Sequence, residues 1–341
     1  MAIQRMFPPF PFATNARLVV GVSGGADSLG LLFLLKGKWP QAIRQLVIAH
    51  VNYGLRGRDS LLDEKRVRQL CLEEKLPFRC KRVKGLKERA KKEKKSFQDL
   101  AREIRYSFFQ KTAQKEHAWG VAVAHHQEDQ AETVLDRLLR GAGTKGLSGL
   151  RPVQTLNFSK GKRPLKVWRP LLAFSKKQIQ DYLNENGITW REDRSNRTTD
   201  YRRNQIRHEV IPFLSRWNGN LVETIARVGE ISSAEDQVLD GFLALVGRQV
   251  KSRWIHGFYS CEAKSFQNLP LAFQRRWVRH VCEQLTTKAR GLSFDRIEEI
   301  IRLWEGREKG PRDLGFGLVA EKSGNKAFLR WKSNKGPVSL K

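Results

Sequence analysis

The chain has 341 residues, with 64 Lys+Arg against 35 Asp+Glu, a formal charge of +29 and an apolar share of 40%. That share builds ordinary packed cores, so a disordered basic tail protein is excluded, and the length fits two or three domains. A cationic surplus of this size points to a polyanionic partner, and because no apolar run approaches the roughly 18–20 residues that span a bilayer, nucleic acid is favoured over a membrane.

The first segment, MAIQRMFPPFPFATN, is broken by Pro8, Pro9 and Pro11 and has neither a continuous signal-peptide core nor a small-residue cleavage site, so a cytoplasmic protein is expected. Residues 16–22 (ARLVVGV) predict a short buried strand, with SGGADS and the apolar helical run LGLLFLL directly after it. The alternation repeats: LVIAHV (46–51), a charged helix near 59–75, PFRCKRV (77–83), a long basic helix near 86–115, WGVAVAH (119–125) and a helix near 127–140. This pattern implies an α/β fold with a doubly wound, mainly parallel sheet covered on both faces. A Gly-rich loop (138–150) and an irregular stretch to RPLL (169–172) follow, and Ser175 with Gln178 makes a capping box for a helix near 176–186.

Beyond 216 apolar residues recur at helical spacing through 221–246, 266–285 and 294–304, and 317–331 reads as two strands around a Ser-Gly-Asn turn. The expected domains are therefore 1–215, a smaller and mainly helical 216–332, and a basic tail, 333–341. Charge divides unevenly between the halves: 42 basic and 21 acidic residues in 1–215 (net +21), against 22 and 14 in 216–341 (net +8). Cys71, Cys80, Cys261 and Cys282 show no CxxC pair and no zinc-type spacing, so buried thiols are expected in place of a metal site or disulfides.

Ser23-Gly24-Gly25-Ala26-Asp27-Ser28 lies between a strand and a helix, where backbone N–H groups and the helix N-terminus favour an anion. The glycines let the backbone approach phosphate oxygens, the two serines add hydroxyl donors, and Asp27 can hold a Mg²⁺ that screens a triphosphate. It is not a Walker loop, since no GK[ST] follows; Gly-Gly before a helix also serves simply as a tight turn.

The hexapeptide resembles the PP-loop of the ATP pyrophosphatase superfamily, SGGxDS, whose members split ATP between its α and β phosphates. Further blocks narrow the resemblance: HVNYGLR (50–56), AREIRY (101–106), AHHQEDQAET (124–133), LRGAGTKGLSG (139–149), WREDRSN (190–196) and YRRNQIRH (201–208) are similar, in order, to the signature blocks of the tRNA(Ile)-lysidine synthetases. The resemblance implies that ATP adenylates the C2 oxygen of the wobble cytidine in the CAU-anticodon isoleucine tRNA. The ε-amine of free lysine then attacks C2 and AMP leaves. It also implies site roles: Ser23, Gly24, Gly25, Ala26, Asp27 and Ser28 for ATP; Asp27, Arg105, His125, Asp129 and Glu132 in catalysis; Asp129 and Glu132 for lysine. Asn52, Arg56, Arg102, Arg203, Asn204 and Arg207 are the implied tRNA or substrate contacts.

The residues themselves are compatible with those roles. Asp129, Glu132 and Asp136 fall at i, i+3 and i+7 on one helical face, with Ala131, Leu135 and Leu138 opposite. A carboxylate pair at a strand's C-terminal end can hold an ammonium group or accept its proton, whereas an Asp136–Arg140 i,i+4 pair is the simpler reading of Asp136. Arg102 and Arg105, one turn apart, can face a phosphate, as can the basic run 86–95, although a charge run also serves as a solvated face. Tyr53, Gln98 and Glu128 depart from the family pattern, Glu128 by one methylene from the first Asp of DDQ. A sulfur-inserting PP-loop enzyme is disfavoured by the missing CxxC, a binder without catalysis by the intact loop and carboxylates, and an amidotransferase by the unexplained charge.

Overall fold

The computed structural model describes residues 2–13, 15–55, 57–156, 163–191, 202–255, 257–286 and 292–332. The chain divides into two compact units, Met1–Ala234 and Glu235–Lys341.

In the first unit, α1 (Ala2–Met6) leads to β1 (Leu18–Gly21) and α2 (Ala26–Lys38), then β2 (Leu46–Asn52), α3 (Arg58–Glu73) and β3 (Phe78–Arg82). Next come α4 (Leu86–Lys92), α5 (Phe97–Lys115), β4 (Val121–Ala122), α6 (Gln127–Leu138) and α7 (Thr144–Leu147). The hairpin β5 (Val153–Leu156) and β6 (Leu165–Trp168) precedes α8 (Lys176–Glu185), and α9 (Arg202–Gln205) runs through a π turn at Ile206–Val210 into α10 (Ile211–Leu214). One six-stranded sheet results, in the order β3-β2-β1-β4-β6-β5. Its pairings are parallel except for β5 against β6, so the doubly wound α/β expectation holds.

The order explains the sequence. Leu18, Val19 and Val20 are at most 1% exposed because β1 is paired on both sides and covered on both faces. From β1 the chain moves outward to β2 and β3, then returns to β4 on the opposite side of β1. That reversal opens a crevice at the C-terminal ends of β1 and β4, the place where doubly wound sheets bind ligands. α2 is apolar nearly all round because Leu31, Leu32, Leu34 and Leu35 are buried in the core. A Cβ on Gly30 would lie 2.4 Å from Ile179 Cγ2, so glycine sets the close approach of α2 and α8. The proline-broken N-terminal segment is core as well: Phe7 and Phe10 lie 5.5 and 3.9 Å from Trp39, and Phe12 lies 4.5 Å from Trp119.

Three expectations for this unit need correction. The long basic helix is two helices: Lys94 takes φ +50°, and Ser96 restarts the chain by accepting the Asp99 N–H at 3.0 Å. Two turns of α4 would otherwise leave Leu86 and Ala90 exposed; the bend packs them on Leu100 and Ile104. The stretch before RPLL is not wholly irregular, since Leu165, Val167 and Trp168 are buried strand residues. Leu138 is exposed, not part of the apolar face that Ala131 and Leu135 bury against Ile206 and Ile211.

The helix α11 (Leu221–Gln249) contains the division between the units. The second unit continues with β7 (Ser252–Ile255), β8 (Phe258–Glu262), α12 (Ala263–Gln267), α13 (Leu271–Leu285), α14 (Phe294–Glu305), β9 (Arg312–Gly315), β10 (Leu318–Ser323) and β11 (Lys326–Trp331). β10 and β11 pair around Gly324 as the turn signal implies. They belong to a five-stranded antiparallel sheet, β7-β8-β11-β10-β9, three of whose strands the helical reading did not anticipate. Tyr259, Phe266 and Trp304 fill its core, and Trp277 Nε1 donates to the Tyr259 hydroxyl at 2.6 Å. All four cysteines are free thiols; burial pushes Cys71 and Cys282 up to about 12. Among the described residues no helix is long and apolar enough to cross a membrane.

Candidate functional site

The loop after β1 is organised by one hydroxyl. Ser28 Oγ accepts the backbone N–H groups of Ser23 and Gly24 at 3.1 and 3.2 Å and donates to the Gly25 carbonyl at 3.0 Å. Gly24 takes φ +95°, a conformation that strains any side-chain-bearing residue. Gly25 is the N-cap of α2 and supplies no side-chain cap, so the first N–H groups of that helix have no capping side chain. Such a turn can take a phosphate through backbone donors and the helix dipole.

Asp27, in the first turn of α2, points across to the end of β4. Its Oδ2 lies 3.6 Å from His126 Nε2, while Oδ1, shielded from solvent, has no hydrogen-bond partner among the described residues. His126 Nδ1 lies 2.8 Å from Glu128 Oε2, and its Nε2 lies 3.5 Å from Asp129 Oδ2. Burial alone would lower the pKa of His126, but Asp27, Glu128 and Asp129 outweigh it and raise it to about 10. His126 is therefore a buried imidazolium among three carboxylates. His125 is its opposite: burial, with Arg169, Arg105 and Arg203 nearby, holds it well below its usual value despite Asp129, so its ring is neutral. Its Nδ1 has no hydrogen-bond partner among the described residues.

The three carboxylates of α6 do share a face, and arginines of the 202–207 block cover it. Arg203 bridges two of them, with Nη2 donating to Asp129 Oδ1 and Nε to Glu132 Oε2, both at 2.7 Å. Arg207 Nε donates to Glu132 Oε1 at 2.5 Å. Arg202 Nε lies 2.9 Å from Asp136 Oδ1, and Arg140 completes the i,i+4 pair with Asp136 at 2.9 Å. Asp129 also accepts the His126 backbone N–H at 3.0 Å, which caps α6. Burial opposes ionisation of Asp129, yet His126 and Arg203 hold its pKa down to about 2. A group held so low is a site for positive charge and a poor proton acceptor near neutrality.

The remaining expected residues fall in different places. Arg102 and Arg105 stack over the Tyr106 ring at 4.6 and 5.8 Å. Asn52 is buried and committed: Nδ2 donates to Glu64 Oε2 and the Ser60 carbonyl, and Oδ1 accepts the Gly54 N–H, so it holds the 50–54 turn and offers nothing to a ligand. Tyr53, one of the departures, donates its hydroxyl to the Ala101 carbonyl at 2.9 Å and so fixes α5 to the end of β2. Glu128, another, accepts the Lys176 N–H at the start of α8 as well as binding His126. Asn204 lies in α9 between the two arginines. Arg56 and the 192–201 part of the signature lie outside the described residues. Two residues not singled out in the sequence join the site, His126 and the buried Arg169; a His after a strand end gave one signal, and nothing local marked Arg169.

For magnesium the fit rests on Asp27. Among the described residues no cluster of three His, Cys, Asp or Glu suits a metal. A Mg²⁺ that keeps its waters and binds substrate phosphates needs only one or two protein carboxylates, and the unpartnered Asp27 Oδ1 meets that requirement.

A phosphate-binding turn at the switch point of a parallel sheet, facing a histidine–carboxylate cluster on the neighbouring strand, defines an ATP-binding protein of the PP-loop class. Residues 2–214 match the model of the PP-loop domain family. The chain is 36% identical over 326 residues to a tRNA(Ile)-lysidine synthase of Geobacter sulfurreducens, covering 94% of this chain and 66% of that one. It is 34% identical over 331 residues to the one of Solibacter usitatus, covering 97% and 71%. The chain belongs to the tRNA(Ile)-lysidine synthase family, a family of ATP-dependent ligases within the PP-loop class. It spans about two thirds of the length of these two relatives. The structure of the U34-tRNA thiolase NcsA from Methanococcus maripaludis, with its 4Fe-4S cluster, superimposes with a TM-score of 0.54 at 19% identity, over 67% of this chain and 76% of that one. That likeness is one of fold alone.

Proposed function

We propose that this chain itself makes lysidine, joining free lysine to C2 of the wobble cytidine of the CAU-anticodon isoleucine tRNA in the cytoplasm, with ATP converted to AMP and pyrophosphate. In this reading residues 1–215 carry out the chemistry and 216–332 recognise the tRNA. The observation that supports it most is the meeting of the 23–28 loop with the start of α6 at the ends of adjacent strands, where His126 lies 3.6 Å from Asp27 and 3.5 Å from Asp129.

The loop's N–H groups and the α2 N-terminus hold ATP phosphates, and a Mg²⁺ on Asp27 would screen their charge. The C2 oxygen of cytidine bonds to the α-phosphorus as the bond to pyrophosphate breaks; the cations Arg105 and His126 oppose the charge that builds there. Neutral His125, surrounded by guanidinium groups, resists protonation and serves as a hydrogen-bonding partner for the base. Lysine enters as an ammonium, attracted to Asp129 and Glu132, and must share or take over the carboxylates that Arg203 and Arg207 hold. After it loses a proton to solvent, its nitrogen bonds to C2 while the C2–O bond breaks; AMP departs with the oxygen, and the nitrogen releases its second proton to solvent.

Incubation of the chain with ATP, radiolabelled lysine and the tRNA transcript should release AMP and pyrophosphate and attach label to the tRNA. Release of ADP, or a requirement for a sulfur donor, overturns the reading.

A further inference from the structure

Near His125 lies a second group of cations, of which the scheme above uses only Arg105. Arg169 directly follows β6, the parallel neighbour of β4, and is 1% exposed. Its Nη1 donates to the Arg151 carbonyl at 2.7 Å and its Nη2 reaches Gln154 Oε1 at 3.3 Å; the Tyr106 side chain lies beside it, and its buried Nε has no hydrogen-bond partner among the described residues. Arg105 Nε and His125 Nδ1 are likewise buried without hydrogen-bond partners among the described residues. Arg102 and Arg105 are fixed by stacking on Tyr106. None of Arg102, Arg105 and Arg169 forms an ion pair with a described residue, although the neighbouring arginines 202, 203 and 207 all do.

A buried guanidinium without a counter-charge, beside two more, is unfavourable in the empty protein. An anion that accepts N–H bonds from the half-buried Arg102 and Arg105 lessens that disadvantage, and the planar fork of these arginines matches the two free oxygens of a phosphate. The nucleotide's own phosphates already have a backbone cradle in the 23–28 loop. A target base that reaches ATP at the end of β1 brings its flanking backbone with it, toward the ends of β4 and β6.

We propose that Arg169, with Arg102 and Arg105, forms a seat for a phosphodiester group of the tRNA beside the modified nucleotide, with Arg169 as its buried, positioning member. This rests on the proposed action on tRNA but is tested without turnover. The full chain is titrated with a fluorescent CAU stem-loop oligoribonucleotide, without ATP or lysine, over a range of salt, and separately with ATP and with pyrophosphate. Arg169→Gln should weaken stem-loop binding by about tenfold and lower the slope of log K against log salt by at most roughly 0.7–0.9, the value of one direct phosphate contact. Arg169→Lys should keep much of the slope while losing affinity. Arg102→Gln, stacked and only partly buried, should act in the same direction and keeps the test valid if Arg169→Gln does not fold. Unchanged stem-loop binding in both variants, no binding by the parent, or loss of ATP or pyrophosphate affinity in its place would overturn the assignment. A parent that binds the stem-loop through these arginines yet makes no lysidine would sink the proposed function and leave this seat standing.

Discussion

Glu132 is fully buried and receives two guanidinium Nε–H bonds, from Arg203 at 2.7 Å and Arg207 at 2.5 Å. Glu132→Gln removes the negative charge and sets an amide NH₂ against a cation. Charge-assisted bonds contribute about 1.5–3 kcal/mol each, and the arginine side chains, 39% and 31% exposed, place these two at the low end. The variant should lose about 2–3 kcal/mol, since Arg203 retains Asp129. Arg207→Gln, which leaves Glu132 paired with Arg203, should lose about 1.5 kcal/mol. If both act through one contact, the double variant loses little more than Glu132→Gln alone, giving a coupling of about 1–1.5 kcal/mol. For a unit of this size the larger loss corresponds to a melting-temperature drop of order 10 °C. Urea unfolding of the four proteins measures the cycle. Single losses that add to within about 0.3–0.5 kcal/mol would refute the coupling, and with it the claim that the 202–207 block is held to α6 by this carboxylate. The same variants should separate in lysine use: Arg207→Gln lowers the lysine concentration for half-maximal AMP release, and Glu132→Gln raises it.

His126, raised to about 10, stabilises the fold fully below its unfolded value near 6.5 and loses that contribution as pH rises through about 10; His126→Gln should flatten the alkaline limb of a stability–pH curve, and an unchanged limb counts against the buried imidazolium. Asp27→Ala should abolish turnover while stem-loop binding stays within about twofold, because Asp27 belongs to the phosphate-binding turn at the start of α2; equal loss of both would make the loop a structural turn. Gly30→Ala places a methyl 2.4 Å from Ile179 Cγ2 and should cost about 1–3 kcal/mol in urea unfolding; Ile179→Ala removes that methyl, so the two losses should be less than additive.

The sheet, the phosphate loop and the acidic face of α6 were legible because each is local: strand periodicity, a six-residue turn, and an i, i+3, i+7 spacing. The partners of that face were not. Arg203 and Arg207 meet Asp129 and Glu132 only when α9 and its π turn fold back on α6, and no periodicity records a contact so distant in the chain. Asn52 matched a signature block but is committed to Glu64 and Ser60, since its position at the end of a buried strand demands internal partners. The basic run 86–95 read as one helix because lysine and arginine favour helix throughout; the packing of Leu86 and Ala90 decided the break. Strands β7, β8 and β9 are short and lie among helices, where a few alternating residues carry little pattern.

β1 acquires its two neighbours at very different times in synthesis. β2 emerges soon after it, but Val19 pairs with Val121, far downstream, and the arginines that cover the carboxylates come later still. Contacts of such sequence separation form slowly and cannot form on a partial chain. A ribosome-bound fragment that ends before β4 thus carries the whole phosphate loop but neither His125, His126 nor the carboxylates of α6. ATP can meet its cradle on such a fragment, but Asp129 and Glu132 are not yet there. The order of the strands therefore acts as a temporal interlock, joining the two halves of the site only once most of the first unit has been made.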